Sequence, residues 1–369
     1  MASRNRVEMS AALFERVFAA ASQRGLEIAN ASEKRYLRRL NDEDAELMAT
    51  GDAQTLFISR QVRLVRIAFK GELFFCVFGL TAPEQLPLGL ESIDLTPAIF
   101  SIGVLQARIQ PKGAVSASHI RDAVEGNFIG SPEYQGHELD AIAQLFPQPS
   151  VYRAVQHEAY LQSDHRVLGS LFARSYADGP IQILNPTIEK IWLTFETGSK
   201  FIPYQNLLQG LMAISWEQLF LETYRCLEQL FAEPRVAALR GQWQSKLSLR
   251  ELSAMIERHL AWRPKEDDAL GKIIGCCDGS CISALCNAFG MNEPLEGLPL
   301  QAERASRKVY DLRNNVVHYR PIHETIQKTD AEWDSVVSAL IDVVNQVYES
   351  RGGTFFEQEG ELQVQLAAA

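Results

Sequence analysis

The spacing of apolar residues along the chain changes from a helical to a strand pattern near residue 55. Before that point, apolar side chains recur at helical spacing through residues 9–30 and again through residues 37–47. Residues 55–80 are rich in β-branched and aromatic side chains, which favours three strands. Lys70-Gly71 lies between the last two and is typical of a hairpin turn. This part of the chain therefore predicts two helices followed by an antiparallel sheet.

Further strand patterns continue to about residue 200. A short helix is expected at residues 137–145, in a stretch that follows a loop rich in glycine. The remaining expected strands are residues 99–109, 151–156, 181–184 and 190–196. Residues 1–200 are accordingly predicted to form an α+β domain with a mainly antiparallel sheet.

Beyond residue 200 the strand pattern stops and long amphipathic stretches take its place. The expected helices cover residues 207–231, 247–260, 269–289, 301–320 and 330–348. Helices of this kind, joined by short loops, predict an all-α bundle over residues 201–350. Residues 351–369 form a tail in which we expect a strand at most.

Composition and charge narrow the classes of function. The chain has 369 residues, a length typical of two domains, and a net charge of −10. A protein that coats long duplex DNA is usually basic, whereas a nuclease needs only a local basic patch. We find no apolar run long enough for a membrane span and no signal-peptide pattern, so we expect a cytoplasmic protein without a membrane partner.

Four of the six cysteines lie close together between Cys276 and Cys286. Their spacing lacks the two CxxC pairs, or the Cys and His pairs, of common zinc sites. Cys277 and Cys281 are four residues apart, as on one face of a helix. We therefore expect reduced thiols that pack a helix, and no metal site.

The densest group of reactive side chains lies in the predicted helix 301–320. With about 100° per residue, Val309 and Leu312 fall on the buried face and His318 falls on the opposite one. Asn314 is four residues before His318, so the two side chains can touch. The cationic residues that could bind a substrate phosphate on this helix are Arg304, Arg307 and Lys308.

Arg313 lies near the edge of the buried face, at about 140° from His318 on an ideal helix. One helix would therefore make a poor complete site from these two residues, and two helices that meet are more reasonable. From spacing alone, the ordinary alternative stays open. A histidine at a helix end is commonly a cap, and exposed arginines usually pair with nearby acids such as Asp311 for little gain in stability.

The string Arg313-Asn314-x3-His318 resembles the R-x4-6-H motif of the HEPN superfamily. The polar residue directly after the arginine is typical of that motif, and so is its position late in an all-α bundle. Residues 216–230 resemble the first long helix of these domains, which often carries an acidic residue near the site; Glu228 is the candidate. The resemblance covers residues 204–350 and leaves the first 200 residues unmatched.

This resemblance implies a metal-independent endoribonuclease that needs no cofactor and forms a homodimer through its helical domain. In such enzymes the ribose 2′-hydroxyl attacks the adjacent phosphate. His318 would move the proton, Arg313 would stabilise charge in the transition state, and Asn314 would orient His318 or the phosphate. The residues expected to support them are Glu228, Tyr319 and Arg320. RNA is the implied substrate, with tRNA as one candidate.

Many relatives act in antiphage defence or as toxins. The N-terminal domain would then sense a phage trigger or restrain the nuclease. Two alternatives remain: a non-catalytic HEPN-like module that binds RNA or protein, and the toxin half of a toxin–antitoxin pair whose N-terminal domain docks an antitoxin protein.

Overall fold

The computed structural model describes residues 6–126, 129–155, 158–176, 179–291, 297–318 and 327–356. The chain divides into two compact units, Met1–Asp164 and His165–Ala369. The sequence analysis placed the division near residue 200. Among the described residues, no helix has the length and apolar character needed to cross a membrane.

The first unit combines helices with a single five-stranded sheet. Its five strands, whose ranges are β1 Asp52–Phe57, β2 Arg63–Phe69, β3 Glu72–Phe78, β4 Leu90–Ser92 and β5 Ser150–Ala154, run in the order β1-β2-β3-β5-β4. Every neighbouring pair is antiparallel. This confirms the predicted α+β class. A short 3₁₀ turn, Ala159–Gln162, lies near its end. The helices are α1 (Arg6–Ser22), α2 (Asp42–Thr50), α3 (Pro97–Gln106), α4 (Ala117–Val124) and α5 (Leu139–Ala143).

The predicted hairpin is confirmed, whereas the strand expected at residues 99–109 is wrong. Lys70 and Gly71 both have positive φ, 50° and 84°, as a two-residue turn between twisted strands requires. Residues 99–106 instead belong to α3, where the Thr96 side chain accepts a hydrogen bond from the Ile99 backbone. All residues from Pro97 to Val104 are buried, so this helix has no polar face to reveal its period.

The second unit is helical throughout the parts that the structure describes, which confirms the predicted helical region. A π-helical turn, Tyr348–Gly352, joins its last two helices. The helices are α6 (Asp164–Arg174), α7 (Asn185–Thr197), α8 (Tyr204–Leu211), α9 (Trp216–Glu228), α10 (Glu233–Trp243), α11 (Leu249–Leu260), α12 (Glu266–Ile274), α13 (Gly279–Ala288), α14 (Leu298–Val317), α15 (Asp330–Val347) and α16 (Gly353–Phe356).

The strands expected at residues 181–184 and 190–196 are also wrong. Asn185-Pro186 opens α7, and proline is well suited to the first turn of a helix. The buried face of α7 packs against α15, where the Thr187 hydroxyl donates to Asp334 Oδ2 at 2.7 Å. Lys190 pairs with Asp342 at 2.6 Å. These contacts explain why the helical unit begins well before residue 200.

Two predicted long helices are each broken in two. Ser215 caps α9 through a hydrogen bond from the Gln218 backbone, and this separates α9 from α8. Asp278 caps α13 in the same way and separates it from α12. Helix α16 lies where we expected a strand at most, and residues 357–369 lie outside the described residues. The capping residues were present in the sequence, but the apolar pattern continues across both breaks.

Helix α9 is fixed against α15 at both ends. The Trp216 Nε1 atom donates to Asp330 Oδ1 at 2.9 Å, and the Tyr348 hydroxyl donates to the Cys226 carbonyl at 2.6 Å. The core side of α9 buries Leu219, Phe220 and other apolar residues. This packing sets the position of the C-terminal end of α9, where Glu228 lies.

Helix α12 packs closely on α14 at Gly271. A Cβ atom at this position would lie 3.2 Å from the Ser306 hydroxyl. Gly271→Leu should therefore push the two helices apart and lower the free energy of unfolding by about 1–3 kcal/mol. Gly241→Leu is the matched control, because a Cβ at Gly241 meets nothing within 4 Å. Urea denaturation of both variants measures the difference; equal stabilities would contradict the close packing.

Candidate functional site

The Arg313 guanidinium lies between the ends of two other helices. Its side chain is 19% exposed, and Nη2 lies 3.5 Å from Glu228 Oε1 and 3.6 Å from Glu266 Oε2. Glu228 is the last residue of α9, and Glu266 is the first residue of α12. Arg313 on α14 therefore links three helices through two ion pairs.

Asn314 and Tyr224 complete the surroundings of this guanidinium. Arg313 Nη1 donates to Asn314 Oδ1 at 3.1 Å, and the Tyr224 ring centroid lies 5.9 Å from Arg313 Cζ. The buried Tyr224 hydroxyl has no hydrogen-bond partner within the described part of the chain. Two carboxylates, an amide oxygen and an aromatic ring together make a site that favours a cation.

Burial and charge act in opposite directions on the Glu228 carboxyl. Burial raises its pKa most strongly, the Arg313 guanidinium lowers it, and the nearby Glu266 carboxylate raises it again. The net effect is a raised pKa, so Glu228 takes up a proton more readily than an exposed glutamate does. Burial also raises the pKa of Tyr224, which keeps the phenol neutral.

His318 is the first residue after α14, not part of its last turn as predicted. The helix ends at Val317, and His318 has φ −104° and ψ 97°. Its backbone N–H still donates to the Asn314 carbonyl at 2.9 Å, while its side chain is exposed. Among the described residues, no side-chain hydrogen bond joins His318 to Arg313 or to Asn314.

The other predicted site residues lie on the exposed side of α14 or beyond it. Arg304, Arg307 and Lys308 are exposed, and Arg307 forms an ion pair with Glu303 one turn earlier. Tyr319 and Arg320 lie outside the described residues. The exposed cations thus share a helix with the Arg313 site but do not contact its carboxylates in the described structure.

Glu266 belongs to this site and was missed by the sequence analysis. It lies in the acidic run Glu266-Asp267-Asp268 at the start of α12. Acidic residues are common in the first turn of a helix because they interact favourably with its dipole. The run therefore gave no sign that one of its members would face an arginine on another helix.

The cysteine cluster is not a helix face as predicted. Cys277 precedes α13, which begins at Gly279, so Cys277 and Cys281 do not share a helix. All the cysteines are free, and Cys277, Cys281 and Cys286 are buried. A hydrogen bond with Cys281, together with burial, raises the pKa of Cys277 and keeps this thiol protonated. The structured residues include no group of three metal-ligating side chains placed to hold an ion.

Comparisons of the chain with protein-family models, with curated proteins and with solved structures gave no match. The function of the site must therefore be inferred from its residues and their geometry. The site combines an oriented guanidinium, two carboxylates and an amide, with an exposed histidine at the end of the same helix.

Proposed function

We propose that the helical unit is a metal-independent endoribonuclease of the HEPN type. The ion pair between Glu228 and Arg313 is the observation that supports this most. The resemblance to HEPN domains implied an acidic residue on the first long helix near the motif arginine, and Glu228 was the candidate. Residues distant in the sequence thus meet in a way that supports the proposal.

In the proposed reaction, the 2′-oxygen of a ribose forms a bond to the adjacent phosphorus while the bond to the 5′-oxygen breaks. The products are a 2′,3′-cyclic phosphate and a free 5′-hydroxyl. His318 takes the proton from the 2′-hydroxyl, or delivers one to the leaving 5′-oxygen. Arg313 stabilises negative charge on the phosphorane-like transition state.

The carboxylates position Arg313 without using all of its hydrogen-bonding capacity. A guanidinium has five N–H donors. Nη2 faces Glu228 and Glu266, and Nη1 donates one hydrogen bond to Asn314. Donors remain on Nη1 and Nε for a phosphate oxygen. Asn314 therefore acts on the orientation of Arg313 in this proposal.

The proposed active form is a homodimer that pairs two copies of the α14 end. Within one chain, Arg313 faces the ends of α9 and α12, whereas His318 is exposed beyond the helix. A second copy can bring its own His318 to the Arg313 of the first. Exposed cations at Arg304 and Lys308 would then flank the bound RNA.

Cleavage of tRNA in the presence of excess chelator tests the proposed chemistry. We expect purified protein to cut total tRNA without added metal and to leave 2′,3′-cyclic phosphate ends. DNA of matching sequence should stay intact, because it lacks the 2′-hydroxyl nucleophile. Loss of cleavage on chelation, or cleavage of DNA at a similar rate, would contradict the mechanism.

The N-terminal unit is proposed to regulate the nuclease by sensing a phage component or by docking an antitoxin protein. In either setting, unregulated activity should be toxic to a bacterial host. Expression of the wild-type chain should slow bacterial growth when the trigger is present. Expression of the His318→Ala chain should leave growth unchanged. Equal growth and equally intact RNA under triggering would contradict this role.

A second candidate function is a non-catalytic module that binds RNA or protein. The pairing of Arg313 with two carboxylates favours it, since these acids compete with a phosphate for the guanidinium. The net charge of −10 also favours this second candidate, because an acidic protein repels the phosphates of an RNA substrate. Under this alternative, wild type and His318→Ala would bind RNA with equal affinity, and neither would cut it.

A further inference from the structure

Helices α10 and α11 enclose an apolar cavity of about 740 Å³ that is separate from the Arg313 carboxylate site. We call it the α10–α11 groove. Cavities that receive a ligand or a partner side chain are commonly of this size and are lined mainly by apolar residues. The apolar side chains that line it are Val236, Leu239, Trp243, Leu252, Met255, Ile256, Leu260 and Trp262.

The groove has a buried part and an exposed part, and we call the exposed part its open end. Val236 and Leu252 are buried, with 1% and 5% exposure. At the open end, the exposures of Trp243, Met255 and Leu260 are 67%, 46% and 71%. Contiguous exposed side chains of this size usually mark an interaction site, because leaving them in water costs free energy.

The spacing along α11 fits a helical partner. Leu252, Ile256 and Leu260 follow one another at four-residue intervals, so they form a stripe about 12 Å long. An amphipathic helix that lies in a groove presents apolar side chains at similar intervals over about two turns. Since most of the lining is aliphatic, the groove offers side-chain packing and lacks the succession of aromatic faces on which nucleic acid bases stack.

The charge around the groove is opposite to that of the whole chain. The chain has 36 Lys and Arg against 46 Asp and Glu. Residues 233–265 reverse this balance, with three acids, Glu233, Glu251 and Glu257, against seven cations, a difference of +4. The cations are Arg235, Arg240, Lys246, Arg250, Arg258, Arg263 and Lys265.

Part of this positive charge is already paired. Arg235 forms an ion pair with Asp268 on α12, Lys265 pairs with Asp267 at 2.9 Å, and Arg263 pairs with Glu257 at 2.9 Å. Even so, the two helices that form the groove and the loop between them carry four more cations, Arg240, Lys246, Arg250 and Arg258, in an otherwise acidic protein. Charge complementarity therefore favours a partner with acidic side chains.

We propose that the α10–α11 groove binds an amphipathic α-helix of a partner protein that is apolar on one face and rich in Asp and Glu on the other. The apolar face would cover Trp243, Met255 and Leu260. The Asp and Glu side chains that flank the apolar face would reach the cations of residues 233–265. The proposed binding of a helix in the α10–α11 groove is independent of the proposed nuclease activity. Its test requires no RNA cleavage.

Fluorescence anisotropy with the full chain tests the proposal. The probe is a labelled 18-residue designed peptide, helical, with leucine on one face and glutamate on the other. The control peptides are a version with lysine in place of glutamate and a version with scrambled order. We expect saturable binding at least about tenfold tighter than for either control, which corresponds to about 1.4 kcal/mol. Binding should weaken as salt is added.

Matched variants locate the binding surface. Met255→Glu and Leu260→Glu place a carboxylate at the open end of the groove, where both residues are exposed, so the fold should survive. Each should weaken peptide binding about tenfold or more. Ile214→Glu is the control, because Ile214 is 82% exposed and lies outside the groove. Circular dichroism checks that each variant is folded, and one folded groove variant is sufficient for the comparison.

Several results would overturn the proposal. These are absence of peptide binding, equal binding of the lysine peptide, and equal loss of binding in Ile214→Glu. A single-stranded RNA or an anionic vesicle that binds through Met255 and Leu260 while the acidic peptide does not bind would identify a different ligand. Peptide binding that becomes about tenfold tighter after removal of residues 357–369 would identify that segment as the occupant.

Discussion

Replacing His318 with alanine should reduce the rate of RNA cleavage by a factor of about 10²–10⁴, the contribution typical of a positioned acid–base group. The free energy of unfolding should hardly change. His318 is exposed beyond the end of α14, and among the described residues it is held by the backbone hydrogen bond from its N–H to the Asn314 carbonyl, which alanine preserves. A gel assay of tRNA cleavage and a urea titration measure the two effects.

Asn315→Ala provides the matched control for this substitution. Asn315 is exposed on the same helix and has no proposed role in the reaction. It should cleave RNA at close to the wild-type rate. If His318→Ala kept wild-type activity, or if Asn315→Ala lost as much activity, His318 would not be the proton-transfer group.

Replacing Arg313 with alanine should affect both activity and stability. The cleavage rate should fall by about 10²–10³, as on removal of a group that stabilises transition-state charge. The free energy of unfolding should fall by about 1–3 kcal/mol, because Glu228 and Glu266 lose the cation between them. The same two assays measure both losses, and unchanged stability would contradict the ion pairs.

The loss of stability in Arg313→Ala should depend on pH in a defined direction. The pKa of Glu228 is already raised in the folded protein, and the attraction of Arg313 opposes that rise. Without Arg313, the pKa rises further. A raised carboxyl pKa means that the folded state binds the proton more tightly than the unfolded state does, so this group stabilises the fold at low pH and loses that contribution as pH rises through its folded pKa.

The loss of unfolding free energy in Arg313→Ala, relative to wild type, should therefore be largest near neutral pH. It should shrink as pH falls toward the ordinary pKa range of glutamate. The double variant Glu228→Gln/Arg313→Ala removes the titrating group, so its deficit should vary much less with pH. Urea titrations of both variants at several pH values test this. A deficit that is constant with pH in the single variant would contradict the proposed electrostatics.

Local turn and capping signals allowed much of the fold to be predicted. Lys70-Gly71 identified a hairpin because glycine readily adopts the positive φ that the second residue of such a turn needs. The helix expected at residues 247–260 corresponds to α11, where Ser248 forms a capping box with Glu251. Helices α3 and α7 were predicted as strands, since a short apolar run has no period that separates the two structures. In both cases a Pro at the first helical turn was the neglected signal.

The site could be predicted only in part, for a related reason. Glu228 was identified through the HEPN resemblance, and the structure places it beside Arg313. Glu266 could not be identified, because its ion pair with Arg313 depends on how α12 packs against α14. The helix expected at residues 301–320 ends earlier, because α14 stops at Val317. The orientation of His318 therefore does not follow from an ideal helical wheel.

A mixing experiment tests the paired site most directly. Inactive Arg313→Ala and inactive His318→Ala proteins are combined under conditions that allow subunit exchange, and mixed dimers are verified by light scattering with size-tagged chains. In a mixed dimer, one site regains an intact Arg313 from one chain and an intact His318 from the other. We expect recovery of up to about a quarter of the wild-type cleavage rate, because half the dimers are mixed and each of these has one intact site out of two. No recovery, although mixed dimers are present, would contradict it.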